Sequence, residues 1–322
     1  MSTEPAIEVI GLVKTYGRGT RAVTALKGLT FSVARGSIFG LLGPNGAGKS
    51  TTLKILTTQI RPTEGTARVA GFDVVRQPLD VRRRIAVVIQ EQAADLLLSA
   101  RDNLTGFARF HGLASAEIQA RADRVLRDFG LEAVAAQKVQ DMSGGFRRRV
   151  QVARIFMVDT PIVFLDEFST GMDPILKRAV MAELRAEQQR GRTIVLTTQI
   201  LSEAEELCDD ILIVDRGREV ARGDLPALKL LSSGVYEVSL TFDQLPDGLE
   251  GELRALRPLR LDISRTTVEI ALKETEADVL ALVSRLATRG RILRVEIGGA
   301  SLEDVFVELT GGPRADAPGG AA

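Results

Sequence analysis

Eight residues, "GPNGAGKS" from Gly43 to Ser50, gather three glycines, a lysine and a hydroxyl into one short stretch. Glycines let a backbone curl so that successive N–H groups face an anion, and a helix beginning there adds the positive end of its dipole. Gly43, Pro44, Asn45, Gly46, Ala47 and Gly48 therefore form a candidate cradle for phosphate oxygens. Lys49 is placed to reach the outer phosphates and Ser50 to hold Mg²⁺, with Thr51 following; the spacing fits G-x-x-x-x-G-K-[ST]. A second pair, Asp166 and Glu167, ends the apolar run "PIVFL". One carboxylate there suits a cation held through water, and its neighbour suits an attacking water that must be polarised. A third feature is Ser143, Gly144 and Gly145 in "DMSGGFRRRVQVARIF", where unpaired N–H groups at a helix start also favour an anion. The arginines at 147, 148 and 149 read as a solvated helix face. Gln199 stands just past the run "TIVLTT", where open α/β sheets place their chemistry.

Short apolar, β-branched runs must carry these groups. They recur at 7–12, 29–33, 38–42, 66–69, 85–89, 162–165, 193–196 and 211–214, and helical patterns separate the later ones. That alternation predicts an α/β domain with a mostly parallel, doubly covered sheet. The stretch 95–160 shows helical periodicity and no strand pattern, so it reads as a helical insertion. Composition changes near "RGDLPALKLLSSG". Four strand-like runs follow, "VYEVSLTF", "RLDIS", "TVEIAL" and "ILRVEI", with helical "EADVLALVSRLATRG" and "SLEDVFVELTG". These predict a small α+β domain of ferredoxin-like type. The expected organisation is 1–224 with a helical subdomain at about 91–160, then 225–310, then a disordered tail at 311–322. On "SLEDVFVEL", Leu302, Val305, Phe306 and Leu309 form one apolar stripe, either packed within its own domain or spanning two copies.

With 322 residues, 45% of them hydrophobic, the chain can bury two cores. A formal net charge of zero argues against a non-specific binder of nucleic acid or membrane surface. The one cysteine, Cys208, excludes an internal disulfide and suits a reducing compartment. The N-terminal "MSTEPAIEVIGL" does not look like a signal peptide, and no run approaches the roughly 20 apolar residues of a membrane span. A membrane role would then come through a separate partner.

Together these residues resemble the ATP-binding cassette (ABC) ATPase family over residues 7 to about 222. "GPNGAGKST" looks like its Walker A loop, "IVFLDE" like Walker B and "MSGGF" like the LSGGQ signature, with Met for Leu and Phe for Gln. The resemblance implies a P-loop NTPase cassette with ATP and Mg²⁺ as cofactors. It makes Glu167 the catalytic glutamate, Asp166 a Mg²⁺-side carboxylate, and Gln90 the Q-loop residue that touches Mg²⁺ and senses a transmembrane partner. It also makes Tyr16 the adenine-stacking aromatic and Asp173 the D-loop aspartate at a dimer seam. Two departures stand out: Phe168 replaces the usual proline and Gln199 the switch histidine, and the only histidine, His111, lies elsewhere.

The C-terminal region resembles the drug-resistance exporter subfamily, in which ATPase and permease are separate chains. The resemblance implies two copies, or this chain and a related cassette, sandwiching two ATP molecules. It also implies a permease in the membrane, residence on its cytoplasmic face, and no nucleic-acid partner. A soluble ABC-type ATPase acting on ribosomes or DNA, or a weakly hydrolysing switch protein, are the alternatives.

Overall fold

A computed structural model describes residues 4–88, 94–231, 235–299 and 301–310. The expected disordered tail at 311–322 lies outside the described residues, as does Gln90. The chain divides into two units, 1–220 and 221–322.

In the first unit, β1 (Ile7–Tyr16) and β2 (Val23–Val33) pair antiparallel. The fully buried β3 (Ile38–Leu42) then leads through the glycine loop into α1 (Lys49–Leu56). β4 (Glu64–Val69), β5 (Phe72–Asp73), α2 (Pro78–Arg82) and β6 (Ile85–Val88) follow. The helical stretch holds α3 (Ala100–Phe110), α4 (Ser115–Asp128) and α5 (Gly144–Ala153). Then come β7 (Ile162–Asp166), α6 (Pro174–Gln189), β8 (Thr193–Thr198), α7 (Leu201–Leu207), β9 (Asp210–Asp215) and β10 (Arg218–Gly223).

The runs do not share one sheet. A six-stranded sheet runs β10-β9-β3-β8-β7-β6, while a separate four-stranded sheet runs β2-β1-β4-β5. Pairings from β9 through β6 are all parallel, so each strand there is buried on both faces and reads as an unbroken apolar run. The antiparallel sheet packs against it through one core that includes Val9, Phe31, Phe39, Phe164 and Val195. The Phe31 and Phe39 rings stack with centroids 5.4 Å apart across that core. β2 begins six residues before the apolar run that marks it, because Thr24, Lys27 and Gly28 interrupt its first half, where only Leu26 is buried. Parallel register decides where the chemistry falls. Leu42 lies beside Thr198, and Asp166 beside Thr197, so β3, β7 and β8 end at one edge.

The second unit comprises α8 (Leu225–Leu231), β11 (Val235–Phe242), α9 (Leu249–Ala255), β12 (Arg260–Ser264), β13 (Thr267–Lys273), α10 (Glu276–Ala287), β14 (Ile292–Gly299) and α11 (Leu302–Thr310). Its sheet order is β12-β13-β11-β14, antiparallel throughout. The run from β11 to β14 is therefore a β-α-β-β-α-β split motif of ferredoxin-like type. Its two motif helices are α9 and α10, which cover Val238, Leu240, Phe242, Val268, Ile270 and Leu272 with Leu249, Leu253, Val279, Leu282 and Leu286. Sequence periodicity points instead to α10 and α11, because α9 is only seven residues long and polar apart from its buried Leu249 and Leu253. In α11, Leu302 and Val305 are buried while Phe306 and Leu309 are half-buried.

Candidate functional site

The glycine loop joins β3 to α1. Gly48 caps the helix at φ 111°, and Gly46 also has positive φ, 79°. At Gly43 the obstacle is contact: a Cβ would lie 2.1 Å from the Val214 carbonyl oxygen. Lys49 begins α1, is almost wholly buried, and donates through Nζ to the Gly43 carbonyl at 2.6 Å and the Pro44 carbonyl at 3.2 Å. Burial pushes its pKa down, while the nearby carboxylates of Glu167 and Asp166 work the other way. Tyr16 belongs to the same corner: its hydroxyl lies 3.4 Å from Thr51 Oγ1 and the Lys14 ammonium 5.2 Å from its ring centre.

Asp166 ends β7 with almost no exposure, and the Thr197 hydroxyl from β8 donates to its Oδ1. Glu167 follows with a left-handed backbone, φ 47°, which a non-glycine residue adopts only where its surroundings impose it. Two clamps do so. Its N–H donates to the Thr197 carbonyl at 3.0 Å, and the Arg148 guanidinium donates to the carbonyls of Asp166 and Glu167, each at 2.6 Å, and of Phe168 at 3.1 Å. Gln199 reaches the same residue from the end of β8: its side-chain amide donates to Glu167 Oε1 at 2.5 Å. Phe168, where proline is usual in the resemblance, is fully buried.

The arginine run thus departs from the solvated face its composition suggests. Arg148 is buried on the segment just described, and burial lowers its pKa against the opposing pull of Asp166 and Glu167. Arg147 Nε donates to the Met142 carbonyl at 3.0 Å, and Arg149 donates to Asp173 Oδ2 at 2.6 Å while its guanidinium lies 4.9 Å from the Phe146 ring centre. Asp173 caps α6 by accepting from the Leu176 N–H at 2.9 Å; that bond, with Arg149 beside it, holds its carboxyl below the ordinary range. Ser143 caps α5, accepting from the Phe146 N–H at 3.4 Å. Gly144 and Gly145 form the first helical turn instead of preceding it. A Cβ on Gly145 would meet the Gly171 carbonyl at 3.3 Å, so the serine-glycine segment and the segment after Asp166 press together within one chain.

A buried carboxylate escapes sequence reading altogether. Glu203 in α7 has no exposure, yet it accepts from Ser169 at 2.5 Å and Thr198 at 2.7 Å and pairs with Lys177 at 2.8 Å. It ties the strand end beside Gln199 to the segment after Glu167. In "SEAEE" it is one of three acids on a short helix, and nothing in composition marks it out.

Ser50 and Asp166 supply hard oxygen donors, the kind Mg²⁺ takes. Among the described residues no group of three or more His, Cys, Asp or Glu forms a closed metal cage. A cation here would complete its shell with phosphate oxygens and water, as Mg²⁺ commonly does.

A glycine cradle before a helix, fed by a parallel strand and joined by paired carboxylates at the end of another strand of that sheet, defines a P-loop nucleotide-binding fold. The comparisons narrow this. The ABC transporter family profile matches residues 26–170. The daunorubicin/doxorubicin resistance ATP-binding protein DrrA of Streptomyces peucetius is 38% identical, over 98% of this chain and 96% of that protein. The Nod factor export ATP-binding protein I of Ralstonia nicotianae is also 38% identical, over 97% of this chain and 95% of its own. Among solved structures, an ATP-binding subunit of an ABC transporter aligns with TM-score 0.65 and 30% identity, covering 70% of this chain and 92% of that one. A dimeric post-hydrolysis cassette bound to ADP and Pi aligns with TM-score 0.64 and 26% identity, covering 68% and 98%. The chain belongs to the ATP-binding subunits of ABC transporters. It is an ATPase cassette carrying a second, C-terminal unit.

Proposed function

We propose that this chain is the ATP-hydrolysing subunit of an exporter, working as a dimer beneath a separate membrane permease on the cytoplasmic face. The observation that carries the hydrolytic reading is the placement of Glu167. Its carboxylate follows the buried Asp166 directly, is held by Gln199, and lies close enough to Lys49 to influence its charge. In this reading residues 43–51 hold the phosphates, Tyr16 stacks on adenine, and Lys49 neutralises the outer phosphate charge. Ser50, Asp166 and Gln90 hold Mg²⁺, which when bound offsets charge developing on the phosphate oxygens. Glu167 orients and polarises the attacking water, and Gln199 fixes the Glu167 side chain and donates to the phosphate.

Among the described residues no helix is long and apolar enough to cross a membrane, which supports a separate permease. The relatives named for drug resistance and Nod factor export favour outward transport. Two copies would share each nucleotide, with Ser143, Gly144 and Gly145 of one facing the phosphates held by the other and Asp173 at the seam. The solved cassette dimer with ADP and Pi supports that arrangement. Residues 225–310 then serve as a regulatory or dimerisation domain.

The reading is tested by co-expression with a multi-helix membrane chain encoded beside it. The subunit should move to the membrane fraction and its ATP turnover should rise several-fold. Ser143→Arg should abolish ATP-driven closure, seen by small-angle scattering, while ATP still binds. A chain that ignores the membrane partner sinks the exporter reading, and a Ser143→Arg protein that still closes sinks the shared sites.

Gln199 has its own test. Alanine keeps no donor, so Gln199→Ala should slow single-turnover hydrolysis about tenfold, the scale of one lost polar contact in a transition state. Gln199→His should retain turnover and acquire a titration near pH 6.5, the ordinary imidazole value. Equal rates for wild type and Gln199→Ala would make Gln199 a bystander.

A further inference from the structure

Among the described residues β14 is an edge strand of the C-terminal sheet, whose order is β12-β13-β11-β14. Every residue after Ile292 in it is exposed. Leu293, Val295 and Ile297 are 57%, 44% and 40% exposed respectively. Register explains the direction of two of them: Val295 lies opposite Leu240 and Ile297 opposite Val238, both core residues, so this pair points to the helix-covered face and runs beyond its cover, while Leu293 sits at the register shift between Arg294 and Ile292. A long edge strand with unpaired backbone groups and alternating apolar side chains is a template for a further strand.

We propose that β14 pairs antiparallel with β14 of a second copy, in a register centred on Val295. The side chains single out that register. Val295 then faces Val295, Leu293 faces Ile297, and Arg294 faces Glu296 at both symmetric positions, so apolar meets apolar and each charge meets its opposite. Moving the centre by one residue puts Arg294 against Arg294 or Glu296 against Glu296, and like charges directly opposite destabilise a strand pair. Arg294 and Glu296 form an ion pair within the strand, exposed to solvent, which two cross-strand pairs would replace.

One strand pair buries far less than the roughly 800 Å² per partner of a stable interface. The contact is therefore auxiliary: it gains strength when ATP already holds two cassettes together, through effective concentration. In that respect it rests on the dimeric reading above.

The test uses the full chain with ATP and Mg²⁺. Cys208, the only cysteine, is buried and its pKa is pushed far up by that burial, so the native protein supplies no competing thiol. In the proposed register, Val295→Cys places two thiols on directly opposed residues, within disulfide reach. Leu293→Cys places its two copies four residues out of step, about 14 Å apart along the strands. Mild oxidation should convert most of the Val295→Cys protein to a covalent dimer, with at least tenfold less from Leu293→Cys. Arg294→Glu in the Val295→Cys background should cut the yield about tenfold, and adding Glu296→Arg should restore it.

Equal yields from the two cysteine variants, or no rescue by the charge swap, overturn the proposal. So does protection from hydrogen exchange, in the monomer, of those β14 amides that point away from β11, which would show that another segment of the chain covers that edge. ATP-driven closure is read separately by scattering. Closure without the Val295 cross-link removes the strand pairing and leaves the dimeric reading standing.

Discussion

Glu167→Gln is expected to slow ATP hydrolysis by a hundredfold or more, about 3 kcal/mol of transition-state stabilisation, while leaving ATP affinity within a factor of a few. The substitution keeps the size and backbone of the residue. It can still accept the Gln199 amide and leaves the carbonyl clamped by Arg148, so the fold is undisturbed. What it removes is the negative charge that draws a proton from water. Binding and closure precede that step, so the variant should accumulate as an ATP-bound dimer. Steady-state turnover and nucleotide-dependent scattering, measured with the permease present, check both halves. Undiminished turnover would move the catalytic role to another group.

Arg148→Met is the second large effect. Methionine fills much of the same volume and takes the guanidinium from three backbone carbonyls, those of Asp166, Glu167 and Phe168, of which the Glu167 carbonyl keeps the Thr170 N–H at 3.3 Å. A buried polar group deprived of its partner costs about 1–3 kcal/mol, and neighbouring losses do not add fully, so a stability loss of about 2–4 kcal/mol is expected. Urea unfolding of the full chain reads it, with attention to the transition that belongs to the first unit. Turnover should fall more than tenfold even where the protein stays folded, since the Glu167 main chain loses one of its two clamps. Arg148→Lys separates the two effects: one ammonium keeps the charge but cannot span three carbonyls. A stable Arg148→Met protein with full turnover would reduce the arginine to packing.

The glycine loop was legible because its chemistry is written in residue type. Gly48 sits at a φ that L side chains rarely adopt, and the backbone conformation selects the glycine. The parallel strands were legible because burial on both faces leaves unbroken apolar runs. Other features were not. Three successive arginines are identical as letters, and only the turn of α5 decides that Arg148 is buried while its neighbours serve elsewhere. Glu203 is one acid among three, made special by three partners from other elements that come near only after folding. The separate antiparallel sheet escaped because apolar runs report that a strand exists without naming its neighbours. Gln199 stands out in the sequence by position alone, and its hydrogen bond to Glu167 requires both strand ends in place.

The left-handed backbone at Glu167 carries a consequence for how this chain evolves and how it can be engineered. Such a conformation costs a non-glycine residue about 1–3 kcal/mol, and glycine would adopt it freely. A glycine at this position should relieve that strain while losing the Gln199 contact and freeing the unfolded chain, and, with Glu167 as the proposed catalytic residue, it should no longer turn over ATP. Screens that reward thermal robustness alone accept that inert variant wherever the relieved strain outweighs those losses. A stabilising hit there is diagnostic of lost activity, and a transport-linked selection must accompany any effort to harden the protein.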